Sequence, residues 1–421
     1  MLSISSSQTL DGLISPSPRF QRAVHLRYDL RSVDAIDRYI PTLNATEAID
    51  AIIKGTEPNG TQRAHVIYAT YGSGKSLLAV SIAALLENSA ELADQTKALG
   101  QRITEIDPQI GKHVERHLYA KQNRKLLPVV LSGDEGDFAT ALVRALTRAI
   151  SAANLHYINP QTRFNAAIRT IEEWQSSYPD TVKLLEKLIK KSKKTWNVNS
   201  LLKKLEESDV EAYMYFEQAY TQITSGVAFD RFAEESPELV FQDVIKALKS
   251  DGRYDGIAVL WDEFGRYIEA RTANAFGHEA AQLQTFAEAC SHSAEGQLHL
   301  LLFTHKELQS YASGLPKGYQ QEWSRIEGRF QSHNVTGDPH IAYRLIANSL
   351  QYTDENVVEQ LLQKSNLDSL VTQVVDTHIF GVLTADQVRE VIRRTWPLHP
   401  LTVYALTRLS NRVAQNERTL F

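Results

Sequence analysis

The chain has one cysteine, Cys290, in 421 residues. An intramolecular disulfide is therefore impossible, a structural zinc site of the usual thiolate kind is not expected, and a reducing compartment is. Long hydrophobic runs are missing as well. The longest, Leu77 to Leu86, is broken by Ser81 and falls far short of the roughly 18 residues a membrane span needs. The first residues, MLSISSSQTLDGLISPSPRF, lack the basic start and apolar stretch of a secretory signal, so a soluble cytoplasmic protein with no membrane partner is expected. Nor is there an excess of one charge. Lys and Arg number 45 against 50 Asp and Glu, a formal charge of -5, which excludes a uniformly basic coat and restricts any nucleic-acid contact to a regional patch. With 43% hydrophobic and 23% charged residues and no Gly or Pro bias, fibrous and disordered classes drop out. No fixed-period repeat is visible, and the length calls for more than one domain.

Residues 1–60 read as an N-terminal arm and linker. The first 20 are rich in Ser and Pro and have no period, as in a flexible arm or a strap over the surface. RAVHLRYDL, Arg22 to Leu30, alternates; a helical stretch then runs to Pro41, and Thr46 to Ile53 resumes helical spacing. The span 61–150 reads as the first part of an α/β core. A buried strand at His65 to Ala69 precedes a helix from about Lys75 to Glu87. A charge-mixed, exposed helical region extends to Lys125, and a strand at Leu127 to Leu131 leads through the turn Gly133 to Gly136 into an amphipathic helix bearing Phe138, Leu142 and Leu146. Residues 151–235, rich in Lys and Glu and without a clear strand, read as a helical insertion. The α/β pattern resumes over 236–336. Ser236-Pro237 opens a helix, apolar strands follow at Ile257 to Trp261 and Leu298 to Phe303 with a helix around Ala280 to Ala289 between them, and a last short strand is expected at Ser332 to Val335. From 337 to 421 the period is helical throughout.

Between the first strand and its helix lies ATYGSGKS, Ala69 to Ser76, which matches G-x-x-x-x-G-K-[ST] at every defined position except the first. Gly72 and Gly74 let the backbone curl so that successive N–H groups point inward, and the helix adds its positive N-terminal end, a cradle for polyphosphate. Lys75 would neutralise β and γ oxygens, and the Ser76 hydroxyl would ligate Mg²⁺. A chance glycine turn is the bland alternative, and the strand before it and helix after it argue against that. A nicotinamide or flavin site is disfavoured because G-x-G-x-x-G is absent from this turn.

The strand Ile257 to Trp261 ends in Asp262-Glu263, two carboxylates at the edge where open parallel sheets bind ligands. Asp262 suits Mg²⁺, directly or through water, and Glu263 suits the polarisation of an attacking water; a solvated strand end is the alternative. Thr304-His305 closes the neighbouring strand and either senses the γ-phosphate or is an ordinary terminus. Arg325 and Arg329 precede the last strand, where an arginine could reach a nucleotide held by a neighbouring subunit.

In this order, the strand with ATYGSGKS, the strand IAVLWDEF, the strand LHLLLFTH, an arginine before a fifth strand and a helical end resemble an AAA+ ATPase. Tyr39-Ile40-Pro41-Thr42 is similar to the segment that crosses the adenine in that family. More narrowly, WPLHPLTVYALTRLSNRVAQNERTLF, Trp396 to Phe421, resembles a signature of the large bacterial phage-defence ATPases, among them the BREX ATPases of the BrxC and PglY kind and the SspC ATPase of single-strand phosphorothioation defence. The resemblance covers most of the chain outside the insertion. It implies an AAA+ type α/β fold, a P-loop parallel sheet sandwiched by helices, with the insertion and a C-terminal helical lid at 337–421. It also implies an ATPase using ATP and Mg²⁺, a homo-oligomer, and partners that are DNA and other defence proteins that modify or restrict it. By matched position it assigns Tyr71, Gly72, Ser73, Gly74, Lys75, Ser76 and Leu77 to the nucleotide and Ser76 and Asp262 to the metal. Glu263, Thr304 at the sensor place and Arg329 as the finger take the catalytic roles. Ala69 and the insertion depart from the minimal pattern. The family proteins are much longer and this chain ends on apolar Phe421, so the resemblance implies an N-terminal fragment.

Two other functions share the same residues. A replication initiator or loader would carry a DNA-binding module beyond the lid, and a nucleotide-gated scaffold would turn over little, against which Glu263 argues. The run Lys187, Lys190, Lys191, Lys193 and Lys194, with Trp196, Lys203 and Lys204 beyond, reads as a solvated helix face interspersed with Glu186, Glu206 and Glu207; contact with nucleic-acid phosphates is the alternative.

Overall fold

The computed structural model describes residues 12–17, 24–70, 73–120, 124–155, 158, 162–192, 195–207, 209–227, 229, 236–271, 273–294, 296–313, 317–336, 343, 346–347, 349–381 and 383–413. Among them the strands are β1 (Ile14–Pro16), β2 (Ala64–Tyr68), β3 (Leu126–Ser132), β4 (Gly256–Asp262), β5 (Gln297–Thr304), β6 (Gln331–Asn334) and β7 (Leu350–Tyr352). Strands β2 to β6 form one parallel sheet in the order β3-β4-β5-β2-β6, flanked by helices, and a helical region follows it. The chain is thus an α/β protein, as its alternation of apolar runs and amphipathic segments requires.

Strands covered on both faces read as continuous apolar runs. In β4, Ile257, Val259 and Trp261 join the core on one face of the sheet, and Ala258 and Leu260 join the core on the other. The first face packs against the helices Phe138–Ala152, Pro237–Asp251 and Ala273–His292; the second packs against Leu43–Gly55 and Lys75–Glu87. Both cores are buried, so single truncations of their large side chains should each cost about 3–5 kcal/mol. Trp261 anchors the end of β4. Its ring stacks on Phe138 at 5.8 Å and meets Phe264 at 5.0 Å, and its Nε1–H donates to the Gly133 carbonyl at 2.9 Å.

Three expectations are corrected. Leu26–Asp29, within the segment read as alternating, is a helix; the helical stretches expected after it form Val33–Arg38 and Leu43–Gly55, and Leu26, Ile36, Ile49 and Ile53 are buried against the sheet's helices. A four-residue helix is too short to show a period of its own. The charge-mixed region before β3 is two helices, Ala93–Ile106 and Pro108–Leu118, whose Leu99, Ile103 and Val114 are buried, so it is amphipathic rather than exposed. Lastly, the C-terminal part is not helical throughout: β7 pairs antiparallel with β1, Ile14 opposite Tyr352. A three-residue strand whose partner lies at the other end of the chain leaves no local period to find. Beyond β7, the helices Glu355–Lys364, Leu367–Asp376, Ala385–Thr395 and Pro400–Val413 follow, and a core there includes Phe380, Ile392 and Val403. The last eight residues, with the QNERTLF end, lie outside the described residues.

Among the described residues of 151–235 there is no strand, and the helices within this stretch are Thr162–Ser177, Pro179–Ser192, Val198–Glu206 and Val210–Ile223. They bury a core of their own, with Trp174 against Tyr220 at 5.7 Å and Phe164, Leu185, Leu201 and Phe216 around it. The insertion's four helices therefore show helical period although, among the described residues, they supply none of the buried residues of the two sheet cores, which take only Leu155 and Ile158 from the start of this stretch.

The end of the sheet away from the loop hides a polar layer. Arg63, nearly fully buried, donates to the Gly55 carbonyl at 3.1 Å and to Ser293 Oγ at 2.9 Å. His65 Nδ1 lies 3.0 Å from His333 Nε2, and His299 Nε2 lies 3.0 Å from Gln297 Oε1. Gln297 in turn donates to the Thr56 carbonyl at 2.8 Å. Burial, reinforced by His333, pushes His65 down to about 3 from an ordinary 6.5, and burial holds His299 well below that value too. Above pH 6.5 these rings are neutral folded and unfolded alike. As the pH falls from 6.5 toward 3 the unfolded chain takes the protons first, so stability is lost over that window at roughly 1.4 kcal/mol per unit per group. The melting temperature is therefore expected to fall steadily between pH 6.5 and 4, and His65→Gln to make that fall shallower; an identical slope in the variant would assign the acid sensitivity elsewhere.

Candidate active site

The C-terminal ends of β2, β5 and β4 lie side by side, with Tyr68 level with Thr304 and Trp261 level with Leu302. From β2 the chain passes through Ala69 and Thr70 into the glycine loop. Tyr71 and Gly72 lie outside the described residues; Ser73 and Gly74 lead into the helix Lys75–Glu87. Gly74 is its N-cap in the left-handed region, at φ +81, with open space where a Cβ would stand, so glycine is needed for the backbone angle and not for packing. Ala69 stands where the loop pattern has glycine. It is buried with the apolar side chains under the sheet, which accounts for a methyl group there. Leu77, the next helical turn, packs partly buried against the same core.

Lys75 arches back over the loop. Its Nζ donates to the Ala69 carbonyl at 2.7 Å and to the Thr70 carbonyl at 2.9 Å, and burial pushes its ammonium down to about 8 while the carboxylates of Asp262 and Glu263 oppose that shift. Ser76 Oγ donates to Asp262 Oδ2 at 2.6 Å, and the other carboxylate oxygen of Asp262 accepts the Glu263 N–H at 2.8 Å. A buried carboxylate is thus held between the first turn of the helix and the end of β4. The donor set, a hydroxyl and a carboxylate, consists of hard oxygens and fits Mg²⁺, whose remaining positions are ordinarily taken by water and phosphate oxygens. No cluster of three His, Cys, Asp or Glu side chains able to hold a metal occurs among the described residues.

Glu263 is one residue further on and differs from Asp262 in every respect. Its backbone is left-handed, φ 53 and ψ 33, a conformation that costs an L-residue about 1–2 kcal/mol. That turn takes its side chain out of the strand and sets Oε2 2.9 Å from Arg266 Nη1, over the turn after β3. There Gly133 donates its N–H to the Asp262 carbonyl at 2.8 Å, and a Cβ at Gly133 would stand 3.7 Å from Glu263 Oε2.

Thr304 is buried and its hydroxyl donates to the Lys306 carbonyl at 2.7 Å, so it shapes its own loop. Arg329 is not brought near Lys75 or Glu263. It precedes β6, the edge strand, whose first residue pairs with His65 and whose last pairs with Tyr68, and its guanidinium pairs with Glu288 at 3.0 Å, half exposed. Of the lysine run, Lys187, Lys190, Lys191 and Lys203 are described and make no ion pair among the described residues, whereas Lys204 pairs with Asp209 at 3.0 Å. Lys193 and Lys194 lie outside the described residues.

Sequence reasoning missed the braces of this site. Glu135, noted only as part of a turn, accepts the Ser132 N–H at 2.9 Å and pairs with Arg27 at 2.7 Å and Arg148 at 2.8 Å. Arg271 lies over the Tyr267 ring at 3.9 Å and binds Asp134 at 2.5 Å and Glu279 at 2.9 Å, which holds the Asp134 carboxyl below its ordinary value. Arg271 ties the turn after β3 to the segment that follows β4 and its helix, and Glu135 ties the same turn to the helices Leu26–Asp29 and Phe138–Ala152. A glycine-flanked acidic pair in the second strand-to-helix turn was the available signal. Among the described residues no helix is long and apolar enough to cross a membrane. Comparison of the chain with family models, with curated proteins and with solved structures finds no match.

Proposed function

We propose that the chain is an ATP hydrolase of the AAA+ kind, serving a bacterial antiphage system that modifies or restricts DNA. The observation that carries the ATPase part is the 2.6 Å bond from Ser76 to Asp262, which joins a glycine-loop hydroxyl to a carboxylate from a distant strand, with Lys75 and Glu263 on either side. Strand order supports it too: β5 lies between β2 and β4, so the Thr304-His305 end stands between the loop and the acidic pair.

In this reading the loop amides and the helix N-terminus cradle the phosphates, and the Lys75 ammonium leaves the two carbonyls for β and γ oxygens. Ser76 and Asp262 would hold Mg²⁺, which would supply positive charge against the phosphates. Glu263, placed outside the strand by its left-handed turn, orients the attacking water and accepts its proton, and ADP and phosphate leave. Arg329 belongs to the neighbouring subunit's nucleotide, as the family resemblance implies, and would have to exchange Glu288 for it. The phage-defence assignment, its protein partners and its DNA rest on the resemblance of Trp396 to Phe421 alone.

Steady-state phosphate release tests the reading. Release should require Mg²⁺, rise faster than linearly with protein concentration as subunits associate, and change on addition of DNA. A chain that neither binds Mg-ATP nor releases phosphate at any concentration would end the proposal, and turnover indifferent to DNA would remove its DNA partner.

A further inference from the structure

Beside the glycine loop stands a histidine that this mechanism leaves without a role. His305 follows Thr304 at the end of β5, its side chain about one-fifth exposed. Nδ1 lies 2.9 Å from the Tyr311 hydroxyl and Nε2 lies 3.4 Å from Glu269 Oε1, so each ring nitrogen has a partner of its own. The packing that fixes the ring is close. A methyl group at Gly265 would collide with the Tyr311 hydroxyl and come within 2.8 Å of His305 Nδ1, so the helix Phe264–Glu269, which starts directly after Glu263, clamps the ring from one side. Tyr311 is held in turn by the Lys306 ammonium, 4.2 Å from its ring centre.

The two partners accommodate the ring in either protonation state. A tyrosine hydroxyl can donate to a bare Nδ1 or accept from a protonated one by rotating its hydrogen, and a carboxylate at Nε2 accepts in both states. Burial holds His305 below its ordinary value; of the charged groups facing the ring, Glu269 favours the imidazolium, and Lys306, Lys75 and Arg266 oppose it. One of those cations, Lys75, is tied to the same strand end, because the Ala69 N–H donates to the Thr304 carbonyl at 3.3 Å and Lys75 Nζ sits 2.7 Å from the Ala69 carbonyl, and it is the group to which a terminal phosphate would be bound. A polyanion there would cancel that field and add negative charge facing the ring.

We propose that His305 takes up a proton when the terminal phosphate of ATP settles against Lys75, so that nucleotide binding by this chain is linked to protonation of one imidazole. The inference rests on the ATP-site reading above. Its consequence follows from linkage: if phosphate favours the protonated ring, protons favour the phosphate-bound site by the same factor, and ATP affinity rises as the pH falls. The imidazolium so formed places a positive charge near the transferring group without spending a second lysine. ADP, lacking the terminal phosphate, takes up less.

Calorimetric titration of Mg-ATP into the full chain carrying Glu263→Gln, which prevents turnover, provides the test. Buffers of different ionisation enthalpy report protons taken up on binding. The window is pH 6 to 7.5, at whose upper end Lys75, at about 8, begins to titrate; that contribution is common to the parent and the His305 variant and cancels in their difference. Uptake of about half a proton or more is expected, with affinity falling several-fold from pH 6 to 7.5; each unit by which phosphate raises the ring corresponds to at most about tenfold. The same chain with His305→Gln should lose both effects while still binding ATP, a comparison that cancels the nucleotide's own protons. Glu269→Gln, at a half-exposed carboxylate, is the second arm and should lower proton uptake with binding retained. Equal uptake with and without His305 overturns the proposal and leaves the ATP site standing. Should the glutamine at 305 prevent folding, unchanged uptake in the Glu269 variant overturns it alone. Failure of the parent chain to bind ATP removes the ATP-site reading, and this inference with it.

Discussion

Lys75→Ala is expected to weaken ATP binding by at least about 30-fold while the fold survives. The ammonium is mostly buried and rests on the Ala69 and Thr70 carbonyls, so on the ATP-site reading its removal deletes a charge-assisted contact to phosphate worth about 2–5 kcal/mol. At 1.4 kcal/mol per tenfold, the middle of that range is two to three orders of magnitude in affinity. The side chain is not part of either apolar core, so far-ultraviolet circular dichroism and the melting temperature should stay close to those of the parent. Fluorescent-nucleotide titration reads the affinity. Unchanged binding in a folded variant would return ATYGSGKS to the status of an ordinary turn.

Glu263→Gln is expected to cost turnover on the order of 10²–10⁴ while changing ATP affinity less than about threefold, because the amide keeps the shape and the partner Arg266 but cannot take a proton from water. Glu263→Gly separates the backbone from the side chain at the same position. Glycine adopts φ 53 without the strain a Cβ brings, so this variant should be more stable by about 1 kcal/mol in thermal or urea unfolding and equally inactive. Such a pair of results would mean that the chain accepts a strained turn there for the sake of where the carboxylate points. Wild-type turnover in Glu263→Gln would move the catalytic base to another group at the ends of β4 and β5. A loss of stability in Glu263→Gly would mean that the carboxylate's own contacts outweigh the left-handed turn.

Much of the sheet was legible because its strands are covered on both faces. Leu127 to Leu131, Ile257 to Trp261 and Leu298 to Phe303 read as unbroken apolar runs, and each is extended by only a residue or so at its ends in the structure. The helix Lys75–Glu87 was equally plain, between its glycine and Asn88. Weaker readings came where burial depends on contacts remote in sequence. Leu26 and Ile36 sit in helices too short to carry a period of their own, and β1 and β7 exist only because they meet.

The same division runs through the candidate site. Residue chemistry alone determined which groups can hold a phosphate or a hard metal ion: a glycine-rich turn, a lysine followed by a hydroxyl, and two carboxylates at the end of an apolar strand. These are local properties of short segments, set by backbone freedom and charge. Strand order was decided only by the tertiary structure, and with it everything that depends on two segments meeting. Placing β5 between β2 and β4 brings Ser76 within 2.6 Å of Asp262, gives the Thr304 hydroxyl to its own loop, and seats His305 among Tyr311, Glu269 and the field of Lys75. It also leaves Arg329 on the edge strand with Glu288 as its partner. Which parallel neighbour a strand takes depends on packing of helices across both faces of the sheet, an interaction among distant segments that no window of the sequence contains.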